Sequence, residues 1–295
     1  AMAEHRLFGY CAPLSVKPGD DMRFMISAEG VTEAQATLVR LLHGDENPEG
    51  PGFVEEEIPG AVPEHLHVRR QFTQNGSFAV VPGMETHDVA GGDFTLCAFV
   101  FPPAPGGRRQ TLLGRWDIAG SRGWALGIDP EGHLEFWAGD GTQVDQVTAE
   151  VPLVPRCWYF VAASVEAGSR CARLVQLGRV GRYNGRLGPV VPYDYDSVVS
   201  ATLRCAPAAA VAAAPFLWAG ASDWNDMRGR FVGTLYNGKI DRAGLWSRAL
   251  PEAELRAIAD GDAMPAAGAV ALWDTTAGYT DRGIGDTIRD TGPHG

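Results

Sequence analysis

The stretch from Tyr236 to Leu255, YNGKIDRAGLWSRALPEAEL, contains a tight-turn signal between two apolar segments. Asn237-Gly238 is the dipeptide that most readily takes positive φ at two successive positions, as a type I′ turn requires. The segments on either side have the alternating pattern of half-buried strands. The sequence therefore predicts a β-hairpin in which Tyr236 faces Lys239.

The end of the same stretch predicts a short helix near residues 251–259. Pro251 suits the first turn, two glutamates follow it, and Gly261 stands just past the end. Leu250, Leu255 and Ile258 recur at helical spacing. We therefore expect this helix to dock through these three side chains on the strands beside it.

The rest of the chain is dominated by short segments rich in β-branched and aromatic residues, about a dozen in number. FTLCAFVF, HLEFWAG and WYFVAASVE are examples, and turn dipeptides such as Asn184-Gly185 separate such segments. The 37 glycines and 20 prolines suit a fold with many turns. The sequence therefore predicts an all-β sandwich.

Two other segments have an ambiguous pattern. In VTEAQATLVRLLHGD, Leu38, Leu41 and Leu42 fit a helical stripe, whereas alternate residues fit a strand face, and a strand from about Ala36 is favoured. The alanine-rich segment CAPAAAVAAAPF has a proline near each end, which favours a loop and strand edge over a helix.

The turn-rich stretch VVPGMETHDVAGGD predicts a domain boundary near residue 80. Residues 1–80 would form a smaller N-terminal β module packed on the sandwich, and residues 81–275 would form the sandwich itself. Residues 276–295 form a polar tail without an apolar closing element, which we expect to lead into a missing downstream domain. Within the first module, the run Glu55-Glu56-Glu57 favours a solvated loop or edge over a cation site.

Charge and hydropathy exclude several classes of function. The net charge is −11, and no basic run is present to neutralise phosphates, so we expect no nucleic-acid partner. No apolar run approaches the roughly 18 residues that a membrane-spanning helix needs. We therefore expect a cytoplasmic protein without a membrane partner.

The five cysteines share no CxxC spacing and are mostly surrounded by apolar residues. This pattern is typical of buried free thiols rather than of disulfides or a catalytic cysteine. The sequence also lacks the GxSxG, HExxH and P-loop motifs. These motifs therefore identify no catalytic residue.

Two groups of residues are candidate metal ligands. His65 and His67 would place both rings on one face of a strand, which suits a Zn²⁺ or Fe²⁺ pair, although two exposed polar residues explain the pattern as well. Asp223, Asn225 and Asp226 crowd into one predicted loop and offer the oxygen ligands that Ca²⁺ prefers. Aspartate and asparagine are also ordinary turn residues, so a structural role is the alternative.

The eight tryptophans suggest a binding function, because exposed aromatic faces stack on sugar rings. Most of them lie within strand patterns, so we expect packing to account for six or more. Trp224, in the acidic loop, is the tryptophan that we expect to be exposed and available to a ligand.

The quoted stretch resembles the closing hairpin and following helix of laminin G-like, concanavalin A-like jelly-roll domains. Segments including LFGYCAPLSVKPGDDMRFMIS, LVRLLHGDENPEGPGFVEEEI, RRQTLLGRW and DTGPHG resemble the N-terminal portion of the large subunit of N,N-dimethylformamidase and its relatives. This resemblance implies a concanavalin A-like jelly-roll β-sandwich, with residues 81–275 as the laminin G-like domain. It also implies a downstream catalytic domain that hydrolyses an amide with iron held by two tyrosines and a glutamate. Those positions lie beyond Gly295, so no catalytic residue can be assigned in this chain.

The first functional hypothesis is therefore a non-catalytic accessory domain of a dimethylformamidase-like hydrolase, which shapes assembly and access to a site elsewhere. Its expected partners are the downstream domain of the same subunit, further copies in an oligomer, and a small partner subunit. We expect no cofactor in this chain unless Ca²⁺ binds, and we expect the iron in the missing downstream domain. The alternative is a freestanding carbohydrate-binding module, and a self-contained glycosidase ranks last because no motif pairs two carboxylates.

Overall fold

The computed structural model divides the chain into two compact units, Ala1–Gln74 and Asn75–Gly295. It describes residues 6–71, 76–84, 89, 91–179, 195–205, 214–225, 229–281 and 285–293. Several elements of the sequence analysis lie at least partly outside the described residues, among them Asp226, the Asn184-Gly185 turn, the alanine-rich segment, the boundary stretch VVPGMETHDVAGGD and the polar tail.

The first unit contains three separate two-stranded antiparallel sheets in its described part. Their strands are β1 (Arg6–Ala12) with β2 (Arg23–Glu29), β3 (Glu33–Gln35) with β6 (His65–His67), and β4 (Val39–Gly44) with β5 (Phe53–Glu57). The strand favoured from about Ala36 is thus present as β4, although it begins at Val39. The triple-glutamate run lies in β5, at the edge of a two-stranded sheet.

The second unit contains the remaining strands and one α-helix among its described residues. The strands are β7 (Ala79–Val81), β8 (Phe94–Phe101), β9 (Gln110–Asp117), β10 (Arg122–Ile128), β11 (His133–Asp140), β12 (Val144–Pro152), β13 (Trp158–Glu166), β14 (Cys171–Arg179), β15 (Ser197–Thr202), β16 (Phe216–Trp218), β17 (Ala221–Asn225), β18 (Gly229–Gly233), β19 (Lys239–Trp246), β20 (Ala269–Asp274) and β21 (Arg289–Asp290). The helix is α1 (Glu252–Asp260).

These strands form two sheets that enclose the main core. The eight-stranded sheet has the order β12-β11-β10-β9-β16-β7, with β17 beside β9 and β18 beside β17. The seven-stranded sheet has the order β15-β14-β13-β8-β19-β20-β21. The predicted all-β jelly-roll sandwich is confirmed. The expected boundary at residue 80 falls inside β7, which pairs with β16 of the second unit, whereas the structure divides the chain after Gln74.

Period-two alternation explains how each sheet covers the core. In β8, Phe94, Leu96 and Ala98 face the main core, while Cys97 and Phe99 belong to a second apolar cluster on the other face. Both faces of the seven-stranded sheet are thus covered at β8, so this strand is buried almost throughout rather than on alternate residues.

The helix covers that second face, as the sequence predicts. Leu250, Leu255 and Ile258 are buried against Phe160 and Trp246. At the helix end, Gly261 takes the left-handed conformation, with φ 111°, in which its amide donates to the carbonyl of Ile258. The docking helix and its three anchoring side chains are confirmed.

Buried hydroxyl groups hold the turn before this helix. Thr95 Oγ1 donates to the carbonyl of Arg248 at 2.8 Å and accepts the amide of Leu250 at 2.8 Å. Ser164 Oγ donates to the carbonyl of Leu250 at 3.0 Å. The Arg248 guanidinium then pairs with both carboxylate oxygens of Glu254, at 3.1 and 2.7 Å. Two hydroxyl groups of the sheet and one ion pair of the quoted stretch therefore hold the helix in place.

The predicted Asn237-Gly238 hairpin is wrong. The strand that follows, β19, pairs with β8 and β20, whereas the strand that precedes, β18, pairs with β17 in the other sheet. The Asn237 amide donates to Gln110 Oε1 at 2.9 Å, so this segment crosses between the sheets. Gly238 is required for space, because a Cβ there would lie 2.6 Å from the carbonyl oxygen of Phe101. Long-range strand pairing has overridden a local turn preference.

All five cysteines are free, as expected, but only Cys97 and Cys205 are buried. Cys11, Cys157 and Cys171 are half-buried, which corrects the expectation of five buried thiols. Burial raises the pKa of Cys97 far above its ordinary value, so that thiol is inert. Within the described residues, no helix has the length and hydropathy needed to cross a membrane.

Candidate functional site

The face of the eight-stranded sheet that points away from the main core carries an aromatic and charged cluster. In β11, Leu134 and Phe136 face the core, so Glu135 and Trp137 project from the opposite face. Trp116 of β9 meets Trp137 edge to face, with ring centroids 6.3 Å apart. We call Arg109, Trp116, Glu135 and Trp137 the outer-face cluster.

Two glycines make room for the indole rings of this cluster. A Cβ on Gly127 would lie 2.5 Å from the Trp137 ring, and one on Gly139 would lie 2.9 Å from the Trp116 ring. Both tryptophans can therefore lie close to the sheet. A larger residue at either glycine would displace the indole that covers it.

Glu135 carries the carboxyl group of the cluster, and its pKa is shifted upwards. Its burial, helped by the negative charges of Asp129 and Glu131, raises its pKa to about 7, although Arg109 acts in the opposite direction. Arg109 Nη2 lies 2.8 Å from Glu135 Oε2 as an ion pair without hydrogen-bond alignment. The Arg109 guanidinium also lies 4.9 Å from the centre of the Trp137 ring.

This arrangement makes Glu135 a group that exchanges a proton near neutral pH. Glu135 and Trp137 are buried, and Arg109 is the partly exposed member that covers them. Sequence analysis did not single out this cluster. In the sequence, Glu135 stands between two apolar residues of a predicted strand. That pattern is typical of a strand with one face in solvent, so it does not reveal that the outer face of the sheet is covered here.

The candidate histidines lie in a strand, two residues apart, so their side chains share one face as predicted. His65 and His67 are both exposed in β6, opposite Gln35 and Glu33 of β3. Among the described residues, no three His, Cys, Asp or Glu side chains lie close enough together to hold a metal ion. A metal site at these histidines stays a prediction.

The candidate calcium ligands lie in a different local structure from the one expected. Asp223 and Asn225 belong to strand β17, which pairs with β18, rather than to a loop. Asp223 Oδ1 accepts the amide of Trp224 at 2.8 Å. Because Asp223 and Asn225 are two residues apart in a strand, their side chains share one face. Calcium binding there stays a prediction, and Asp226 lies outside the described residues.

Packing accounts for most of the tryptophans, as expected. Trp116, Trp124, Trp137, Trp218, Trp246 and Trp273 are buried. Trp158 is half-buried, whereas Trp224 in β17 is 50% exposed. The expected exposure of Trp224 is thus confirmed, and a ligand at this side chain stays a prediction.

The first unit carries a large apolar surface that the sequence analysis missed. Thirteen of the seventeen exposed large apolar side chains among the described residues belong to this unit. They are Leu7, Phe8, Tyr10, Leu14, Val16, Phe24, Met25, Leu38, Val39, Leu41, Leu42, Phe53 and Val54. We call them the N-terminal apolar surface. Adjacent apolar pairs such as Leu7-Phe8 and Leu41-Leu42 were the available signal, because neighbours in a strand face opposite sides.

Part of this surface lines a groove. A cavity of about 600 Å³ lies beside the β1–β2 ribbon, lined by residues that include Phe24, Ile26, Leu38 and Leu66. Within the described part of the unit, Ala28 and Val68 are the buried apolar residues. The unit therefore buries little apolar surface of its own.

Comparison with known proteins shows that the first half of the sandwich is similar to a known family of domains. Residues 74–176 match the family model described as the concanavalin A-like lectin/glucanases superfamily, Laminin_G_3. This part of the chain resembles a laminin G-like domain, and we use the name laminin G-like domain for the sandwich that contains it. This match spans β7 to β13 and most of β14, so the laminin G-like domain includes strands from both sheets.

Two curated relatives extend the likeness beyond the laminin G-like domain. The N,N-dimethylformamidase beta subunit of Paracoccus aminophilus is 37% identical over 282 residues, covering 95% of this chain and 37% of that protein. The protein of the same name from Alcaligenes sp is 33% identical over 286 residues, covering 96% of this chain and 37% of the relative. The chain thus spans little more than a third of the length of these relatives.

Solved structures resemble this chain more distantly. The Ruminococcus gnavus IT-sialidase CBM40 bound to alpha2,3 sialyllactose is 16% identical, with a TM-score of 0.45, over 62% of this chain and 91% of that one. A putative carbohydrate binding protein from Bacteroides ovatus is 12% identical, with a TM-score of 0.44, over 98% of this chain and 65% of that one. Likeness at this level carries no conclusion about what the present chain binds.

Proposed function

We propose that the chain is the non-catalytic accessory region of an amide hydrolase of the N,N-dimethylformamidase type. The observation that carries this proposal is the match of 95% of the chain to 37% of a dimethylformamidase beta subunit. A region of this kind contributes architecture, and the catalytic residues belong to the part of the polypeptide that the chain does not span. The accompanying inference is that this subunit is the larger one of a cytoplasmic assembly with a small partner subunit.

The chemistry of the laminin G-like domain supports an architectural role. Thr95, Ser164 and Arg248 direct their polar atoms to the turn and helix that cover the seven-stranded sheet. An iron in the following region would act as a Lewis acid and supply a nucleophilic water for amide hydrolysis. The residues of the present chain hold the sandwich in shape beside that region.

The test is to determine the coding sequence after Gly295 and to assay both proteins for release of dimethylamine from N,N-dimethylformamide. We expect the complete polypeptide, with its small subunit and iron, to hydrolyse the amide, and the 295-residue chain to be inactive. Turnover by the 295-residue chain alone would overturn the accessory role. A reading frame that stops near Gly295 would overturn the hydrolase assignment.

Carbohydrate binding is the second candidate function, and the exposed indole of Trp224 favours it. A half-exposed tryptophan on a hairpin offers a flat apolar face to a sugar ring. Calorimetric titration of oligosaccharides into the chain and into Trp224→Ala tests the idea. Heat of binding that disappears in Trp224→Ala would support it, and equal heats in both proteins would remove Trp224 from any such site.

A further inference from the structure

The N-terminal apolar surface is larger than a free soluble domain normally exposes. Its thirteen side chains are each between 37% and 84% exposed, which corresponds to on the order of 1,000 Å² of surface. The largest apolar patch of a typical soluble monomer is about 300–600 Å². One partner of a standard protein interface contributes about 800 Å². Summed over the faces on which these side chains lie, the exposed apolar area thus reaches the size that an interface requires.

Exposed apolar side chains lie on both faces of the β1–β2 ribbon. In the β1–β2 ribbon, Leu7 lies opposite Ala28 on one face, whereas Tyr10 lies opposite Met25 on the other. Leu7, Tyr10 and Met25 are all exposed. An isolated two-stranded ribbon is at most marginally stable in water. Burial against a partner would therefore stabilise the ribbon as well as the complex.

The β4–β5 hairpin adds a charge pattern to the apolar surface. The register places Val39 opposite Glu57 and Leu41 opposite Glu55, so apolar and acidic side chains share one face. Glu56 pairs with Arg40 on the other face, at 3.3 Å. Neither Glu55 nor Glu57 pairs with a cation among the described residues. The matching surface should thus be apolar, with lysine or arginine at its rim.

We propose that the N-terminal apolar surface docks onto the following region of the same polypeptide, the part that the curated relatives possess and this chain does not span. This inference rests on the proposed function. The relatives' additional length, nearly two-thirds of each protein, supplies a covalently linked partner. Because linkage raises the effective concentration of such a partner, intramolecular docking is favoured over association with a second copy.

Hydrogen exchange measured by mass spectrometry tests the docking. It should be compared between the 295-residue chain and the complete polypeptide. Amides of β1, β2, β4 and β5 should exchange at least about tenfold more slowly in the complete polypeptide. Equal exchange in the two proteins would overturn the proposal. Slow exchange in the 295-residue chain that accompanies dimer formation would also overturn it, because the occupant would be a second copy.

A double substitution, Leu41→Ser with Phe53→Ser, separates docking from folding. In the complete polypeptide it should abolish the slow exchange of β4 and β5. In the 295-residue chain it should change little, because both side chains are already exposed there. An effect of equal size in both proteins would show that the residues support the hairpin itself, and would overturn the docking role.

A matched control and an independent readout complete the experiment. Arg40→Gln alters an exposed ion pair on the same hairpin and should preserve the slow exchange. All eight tryptophans lie in residues 75–295, so their fluorescence should report unchanged melting of the second unit. Amide hydrolysis tests the proposed function separately. Activity without slower exchange would refute the docking alone, and slower exchange without activity would refute the hydrolase assignment alone.

Discussion

Substitution of Asp145 by asparagine should destabilise the laminin G-like domain. Asp145 is buried in β12, where Oδ2 accepts the backbone amides of Arg204 at 2.6 Å and Cys205 at 2.8 Å. Its Oδ1 accepts Nε of Arg204 at 2.6 Å. This carboxylate therefore attaches the segment after β15 to the opposite sheet, across about 60 residues of sequence.

The pKa of Asp145 sets the magnitude of its contribution. Burial alone would raise this pKa, but the hydrogen bonds from Cys205 and Arg204 outweigh burial and lower it from 3.8 to about 2. A shift of this size corresponds to about 2 kcal/mol of stability. Because the folded-state pKa is depressed, this contribution is present above about pH 4 and is lost as the pH falls towards 2. About 1 kcal/mol should be lost by pH 3.

Urea unfolding followed by tryptophan fluorescence at pH 7 and pH 3 provides the measurement. Asp145→Asn should lower the free energy of unfolding by about 2–4 kcal/mol at pH 7, because buried amides lose a charged acceptor. The difference in unfolding free energy between Asp145→Asn and the unsubstituted chain should be smaller at pH 3 than at pH 7. Asp262→Asn, at an exposed position after α1, is the control. A change below about 0.5 kcal/mol at pH 7, or an unaltered difference at pH 3, would refute the reasoning.

Three further predictions concern other parts of the chain. Thr95→Val should lower the free energy of unfolding by about 2–3 kcal/mol, because a buried amide and a carbonyl lose their hydrogen-bond partner. Thr95→Ser keeps the hydroxyl group and should preserve most of the stability, and urea unfolding of the two variants distinguishes these outcomes. The unsubstituted chain should lose stability as the pH rises from about 4.5 to 7, because burial raises the folded-state pKa of Glu135 to about 7, and Glu135→Gln should abolish that loss. If the unfolding free energies of Glu135→Gln followed the same pH dependence as those of the unsubstituted chain, the prediction would be wrong. If Asp223 and Asn225 bind Ca²⁺, millimolar calcium should raise the melting temperature, and Asp223→Asn should abolish that rise; melting temperatures equal in calcium and in EDTA would exclude the site.

Local sequence patterns predicted the helix and many of the strands. The helix needed only Pro251, Gly261 and three apolar residues at helical spacing, all of them within one short segment. The strands FTLCAFVF and WYFVAASVE begin and end in the structure where the sequence pattern does. These features depend on residues that are close together in the sequence, so local sequence patterns are enough to predict them.

The candidate sites were harder to predict because they depend on distant contacts. Glu135 is surrounded by ordinary strand sequence, and only the fold places it beneath Arg109. Asp223 and Asn225 look like turn residues, yet pairing with β18 places them in a strand. Nothing near Asp145 in sequence indicates that its partners lie at Arg204 and Cys205.

The sequence by itself determined an all-β sandwich, one docking helix and an exposed Trp224, because strand alternation, helix ends and turn composition are local properties. Only the tertiary structure decided that Asn237-Gly238 crosses between sheets instead of closing a hairpin. It alone revealed that most of the large apolar side chains described in the first unit are exposed. The physical reason is that strand partners and burial depend on residues far apart in the chain, whose long-range contacts outweigh a local preference of about 1 kcal/mol.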